Sequence, residues 1–148
     1  MTDILEQSPA RRLRQAYDAW AESKGADHGW LDLLADDVEM RSVLAPELPD
    51  DFAAPPRRGK AAAMEYVQTL GRDWEMLDFT PERFIDAGDD VVMVGRCAWR
   101  NRATGRIVDT PKVDVWHFEN GKAVSFLEMF DSLGFVRAIP FGDVMGLT

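Results

Sequence analysis

The chain has 148 residues, 46% apolar and 29% charged, with a net charge of −9. This length buries a core without staples and fits one domain over residues 1–148, with its core at about 8–138. The acidic balance disfavours nucleic acid and anionic membrane surfaces, and no apolar run approaches the ~20 residues of a membrane span.

The start, MTDILEQSPARRL, lacks a basic stretch followed by an apolar run, and the one cysteine, Cys97, can form no internal disulfide, so the expected location is cytoplasmic. Ser8-Pro9 opens a helix, a hydroxyl N-cap followed by proline at the first helical position. Leu13, Ala16, Tyr17 and Trp20 carry it to about Ser23, and Gly25 ends it. A short second helix at about His28–Leu34 carries Trp30 and Leu33, and Asp36-Asp37 breaks it. Val38–Leu44 alternates as a strand, with Val38, Met40 and Ser42 on one side. Residues 45–58, APELPDDFAAPPRR, hold four prolines and read as a loop, either a flap over a pocket or plain surface. Met64, Val67, Leu70 and Trp74 mark a third helix from Lys60 to Trp74.

The rest reads as strands at Phe79–Asp86, Val91–Asn101, Ile107–Phe118 and Ala123–Phe130. The turns between them are Gly88-Asp89-Asp90, Ala103-Thr104-Gly105 and Asn120-Gly121. Asp131-Ser132 caps a last helix to about Ala138, with Leu133 and Val136 facing in. Helices first and hairpins afterwards predict an α+β fold, a bent antiparallel sheet with helices on one face.

The stretch Val113–Asp131 carries the chemistry. Period-two alternation places Asp114, Trp116 and Phe118 on one face, and Val124, Phe126, Glu128 and Phe130 on one face of the next strand. A carboxylate in a row of large apolar groups is costly unless paired, protonated or functional. Two of them on consecutive strands point to an apolar cavity with acid–base chemistry inside. The structural alternatives are a rim Glu128 paired with an arginine, an Asp114 satisfied by Tyr17 or a backbone amide, and a Tyr17 that is plain core. Trp20, Trp99 and Trp116 serve either the core or the pocket wall. On Val91–Arg100 the odd positions form the cleaner apolar face, which sends Arg96 and Arg100 outward. Two histidines and one cysteine, well separated, give no metal-ligand spacing.

The first-helix YxxW, the LADDVEM step, the G-K-x-A helix start and W.F.NGK....LEMFD resemble the SnoaL-like group of the nuclear-transport-factor-2-like superfamily, over about Ser8 to Ala138. That superfamily includes ketosteroid isomerases and limonene-epoxide hydrolases. The resemblance implies a cone-shaped bent sheet wrapped around N-terminal helices, with an apolar pocket at its open end. By resemblance to the isomerases, Asp114 falls where a protonated Asp donates into an oxyanion hole completed by a tyrosine, here Tyr17. Ser42 stands in the place of their catalytic base. By resemblance to the hydrolases, Glu128 takes the place of a water-activating Asp, while Arg96-Cys97-Ala98 keeps their Arg and loses their second Asp.

The expectation is a cofactor-free lyase, isomerase or hydrolase acting on an apolar cyclic metabolite. Glu128, Asp114 and Tyr17 would be catalytic, and Trp20, Met40, Trp99, Trp116, Phe118, Phe126 and Phe130 would line the ligand. The alternative is a non-catalytic binding protein for a hydrophobic small molecule. If both carboxylates are buried with pKa values raised on folding, Asp114→Leu or Glu128→Leu should raise thermal stability at neutral pH while abolishing any activity. Val92, Val94, Ala98, Val113, Val115 and His117 share the opposite parity, an outer face through which the group commonly forms a two-fold dimer.

Overall fold

The computed structural model describes residues 7–44, 56–144 and 146. Ser8 caps the first helix, α1 (Pro9–Glu22), its Oγ accepting from the Arg11 amide at 3.2 Å. Leu13 and Tyr17 are its buried residues. Gly25 takes φ +84°, a conformation open to glycine at little cost. The expected second helix is a five-residue 3-10 turn, Gly29–Leu33. Asp36-Asp37 does not mark a break before a strand: β1 (Leu34–Ser42) already contains both.

Of the proline-rich stretch, 45–55 lie outside the described residues, and with them the flap reading. Its end is not loop: β2 (Arg57–Arg58) pairs with β1, Arg57 beside Met40. The next helix, α2 (Lys60–Asp73), passes at Trp74 directly into β3 (Trp74–Ala87). Its inner stripe is Ala63 and Val67 with Tyr66 and Leu70 packed in, whereas Met64, expected inside, is 37% exposed. Val67 and Leu70 face inward as the sequence suggested, and the stripe differs at its first position, Ala63 in place of Met64.

Strands β4 (Asp90–Asn101), β5 (Ile107–Glu119) and β6 (Lys122–Met129) follow as hairpins. The sheet order is β2-β1-β6-β5-β4-β3. It is mixed: β1 runs parallel to β6, and the other pairings are antiparallel. A register shift after His117 sets Ala123, not Val124, opposite Phe118. Two short helices close the chain, α3 (Ser132–Ala138) and α4 (Pro140–Val144). Asp131 caps α3 by accepting from the Gly134 amide. Leu133, expected inside, is 48% exposed; Ala138 and Ile139 face Trp74 and Val108 instead.

The concave face of the sheet and the inner faces of α1 and α2 share one core, from Leu13 and Tyr17 through Met93 to Trp116 and Phe126. The architecture is α+β, helices held in a bent open sheet. Among the described residues no helix is long and apolar enough to cross a membrane.

Candidate active site

The bend leaves a cavity of about 190 Å³ between the sheet and the helices. Eleven of its lining residues carry rings, and Lys112, Asp114 and Glu128 gather where β5 and β6 run side by side. Asp114 and Glu128 are direct partners across these strands. Like charges in that position repel. Lys112, two residues before Asp114 on the same face, resolves the conflict: its Nζ donates to Asp114 Oδ1 and to Glu128 Oε2, each at 2.7 Å. The outer oxygens are also engaged. Tyr17 donates its hydroxyl to Asp114 Oδ2 at 2.5 Å and accepts from Trp116 Nε1 at 2.9 Å. Tyr66 donates to Glu128 Oε1 at 2.8 Å. A chain of hydrogen bonds therefore runs Trp116, Tyr17, Asp114, Lys112, Glu128, Tyr66.

This network is desolvated, with Lys112 8%, Asp114 2% and Glu128 7% exposed. Burial opposes the charge on Lys112, yet the two carboxylates outweigh it and hold the ammonium's pKa above the ordinary lysine value. The amine is therefore protonated at neutral pH, which disqualifies it as an imine-forming nucleophile. One ammonium neutralises one carboxylate, so a surplus negative charge remains. Burial, with Glu128 close by, accordingly raises the Asp114 pKa even though Lys112 pulls it down. Burial and the adjoining carboxylates push Tyr17 and Tyr66 well above an ordinary tyrosine, so both stay hydrogen-bond donors.

The structure brings together Glu128 and Asp114, as the alternation of the sequence suggested, and Tyr17, as the resemblance implied. Both oxygens of Asp114 accept from protein groups, so it is not turned toward a ligand as a free donor. Trp20, Met40, Trp99, Trp116, Phe126 and Phe130 all line the cavity. Phe118 does not. It lies two residues nearer the Asn120-Gly121 turn, in a fully buried row with Ala123 and Leu34, where core fills the cone. Arg96 faces outward, 3.2 Å from Asp109, and His117 faces outward against Asp90. Ser42 pairs across strands with Glu128, and its Oγ accepts from the Leu44 amide.

Sequence reasoning missed Lys112 and Tyr66. The signal for Lys112 was its parity with Asp114, Trp116 and Phe118; the signal for Tyr66 was its spacing from Ala63 and Leu70. Cys97 also lines the cavity, and burial raises its thiol pKa to about 11. At pH 8 a disulfide reagent is expected to label Cys97 in native protein roughly 200-fold more slowly than in urea-unfolded protein, where the thiol returns to its ordinary pKa of about 8.5. Equal labelling rates would show a thiol that is neither buried nor raised.

The sequence profile of the SnoaL-like domain matches residues 13–126. Comparison with the curated proteins returns no match. Among solved structures, an NTF2-like protein of unknown function from Burkholderia pseudomallei K96243 is 26% identical, with a TM-score of 0.71 over 88% of this chain and 95% of that one. TerC, co-crystallised with polyporic acid, is 25% identical, with a TM-score of 0.71 over 88% and 98%. A protein with a ketosteroid-isomerase-like fold from Catenulispora acidiphila DSM 44928, in complex with trimethylamine, is 12% identical with a TM-score of 0.66 over 89% and 93%, a likeness of fold alone. With the profile spanning most of its length and the cone and pocket present, this chain belongs to the SnoaL-like family.

Proposed function

We propose that this protein is a cofactor-free acid–base enzyme, an isomerase or lyase that moves a proton on a ring-containing, largely apolar metabolite. One observation carries the reading: an ammonium clamped between two buried carboxylates at the wall of an aromatic cavity. Glu128 accepts and returns the proton. Lys112 stabilises negative charge developing on a substrate oxygen, a role worth ~3 kcal/mol for a single preorganised donor. Asp114, backed by Tyr17 and Trp116, positions Lys112, and Tyr66 positions Glu128. Ser42 holds the place that the resemblance gives to a base, and Glu128 is its cross-strand partner, so a base remains at the same level of the cone.

The substrate class draws support from the rings around the cavity and from TerC, whose co-crystallised ligand is polyporic acid. Purified protein incubated with a metabolite extract of its own host, followed by mass spectrometry, tests the reading. A pool of at least one compound should fall as an isomer or an elimination product rises. Enrichment of an unchanged compound on the protein, with no product, supports the binding reading instead.

The reading extends to a cytoplasmic, two-fold dimer. Cys97 is buried and unpaired. On the outer face Ile85, Val92, Val115 and Leu127 form one cross-strand row, and Val94, Val113 and Met129 another. The short final helix does not cover them, because α3 packs on Trp74 and Val108 instead. A second copy placing the same face against this one would bury both rows. Sedimentation at low micromolar concentration should give twice 16.7 kDa, and Val115→Glu should halve it. A wild-type monomer ends the dimer proposal.

A further inference from the structure

Arg57 is a cation in the cavity wall. Its neighbour Arg58 pairs with Glu39 at 3.2 Å, and most charges on the sheet have such partners, Arg96 with Asp109 and Arg100 with Glu75 among them. Arg57 makes no salt bridge among the described residues, and its Nε is buried without a hydrogen-bond partner. A buried donor left unmade costs ~1–3 kcal/mol. Its guanidinium carbon lies 5.7 Å from the Tyr66 ring centre. The backbone fixes its aim. Arg57 pairs with Met40, Met40 with Phe126 and Phe126 with Trp116, so the four share one cross-strand row whose other three members line the cavity. The next turn is tied down by the Gly59 amide donating to the Val38 carbonyl at 2.7 Å.

Lys112 carries no unmatched charge, because two carboxylates already hold it; what it offers a substrate oxygen is its third N–H. Among the described residues, Arg57 is thus the group in this wall whose charge and planar fork are still available to an acidic oxygen pair.

We propose that Arg57 is the subsite for an anionic group on the ligand, a carboxylate or an ionised enol, so the molecule taken into the cavity is a ring-bearing organic acid. This rests on the enzymatic reading for its substrate but not for its test, which reads equilibrium binding without turnover. The acid end sits against Arg57, and the ring lies among Phe126, Trp116 and Tyr17, which sets the reacting carbon near Glu128.

Quenching of tryptophan fluorescence measures the binding of benzoate, 2-naphthoate and anthracene-2-carboxylate, each beside its uncharged primary alcohol. Wild-type protein should bind at least one acid more than 10-fold tighter than its alcohol. Arg57→Met should raise that acid's Kd at least 10-fold, leave the alcohol's within 2-fold and keep the wild-type melting temperature. Arg57→Lys should recover part of the preference. The proposal is overturned by an acid preference that survives Arg57→Met, by an equal loss for acid and alcohol, or by the absence of an acid preference in wild-type protein across all three pairs. Loss of turnover in Glu128→Gln, with acid binding intact, separates the fate of the chemistry from that of this subsite.

Discussion

Lys112→Met is expected to destabilise the fold by about 3–5 kcal/mol at pH 7, because it leaves buried charge without its partner. Asp114 and Glu128 face each other directly on β5 and β6, and the ammonium between them is the group that offsets both their desolvation and their repulsion. For a chain of this size such a loss lowers the melting temperature by roughly 10 °C. The pH response gives the variant a signature. Asp114, raised by burial and now without the ammonium that pulls it down, holds its proton in the folded state above its unfolded pKa of ~4. Between those limits the folded state binds more protons than the unfolded one, so stability rises as pH falls from 7 toward 5.

The wild-type contribution of Lys112 runs the other way. Its pKa is raised on folding, so the stabilisation is complete below the unfolded value of ~10.4 and is lost only as pH climbs through the higher folded value. The triple variant Lys112→Met, Asp114→Asn, Glu128→Gln carries no charge there and should regain most of the loss. Urea denaturation at pH 7 and pH 5 measures all of this. A Lys112→Met protein within 1 kcal/mol of wild type at pH 7, with no gain at pH 5, would sink the account. The same geometry sets the expected gain from Asp114→Leu or Glu128→Leu against the loss of one of two counter-ions from Lys112. Either change removes a counter-ion from Lys112 rather than an isolated charge.

How far these features were legible depends on the range of the physics behind them. Caps and turns are local. Ser8-Pro9, Asn120-Gly121 and Asp131 each act within a few residues, and the structure places each where the sequence does. The inward pair Asp114 and Glu128 follows from alternation alone. Lys112 obeys the same alternation, but lysine is almost never fully buried unless paired, and its partners lie on two strands. On α2 the expected Val67 and Leu70 do face inward, and the miss is at the start of the stripe, where Met64 is the larger apolar residue but Ala63 is the buried one. The parallel pairing of β1 with β6 joins residues nearly ninety positions apart, for example Met40 with Phe126, and no local pattern encodes it. Phe118 shows what parity cannot say: it shares a face with Trp116 but not its depth in the cone.

Glu128→Gln is expected to lower kcat by roughly 10²–10⁴-fold, the usual contribution of a positioned proton-transfer group, while leaving the ligand Kd within a few-fold. The amide keeps the carboxylate's shape and can still accept one hydrogen bond, from Lys112 or from Tyr66, but it cannot take up a proton. Stability should hold, because the change leaves Lys112 paired with Asp114, one cation to one anion. Asp114→Asn should cost less rate than Glu128→Gln, since Asp114 acts through Lys112 rather than on the substrate. Tyr66→Phe frees one oxygen of Glu128 and should change rate by less than either. Single-turnover rates on the compound transformed in the host extract, alongside equilibrium binding of the same compound, give the ranking. If Glu128→Gln keeps its rate within 3-fold of wild type, the proton does not pass through Glu128, and the clamp around Lys112 is a structural ion cluster in a binding cavity.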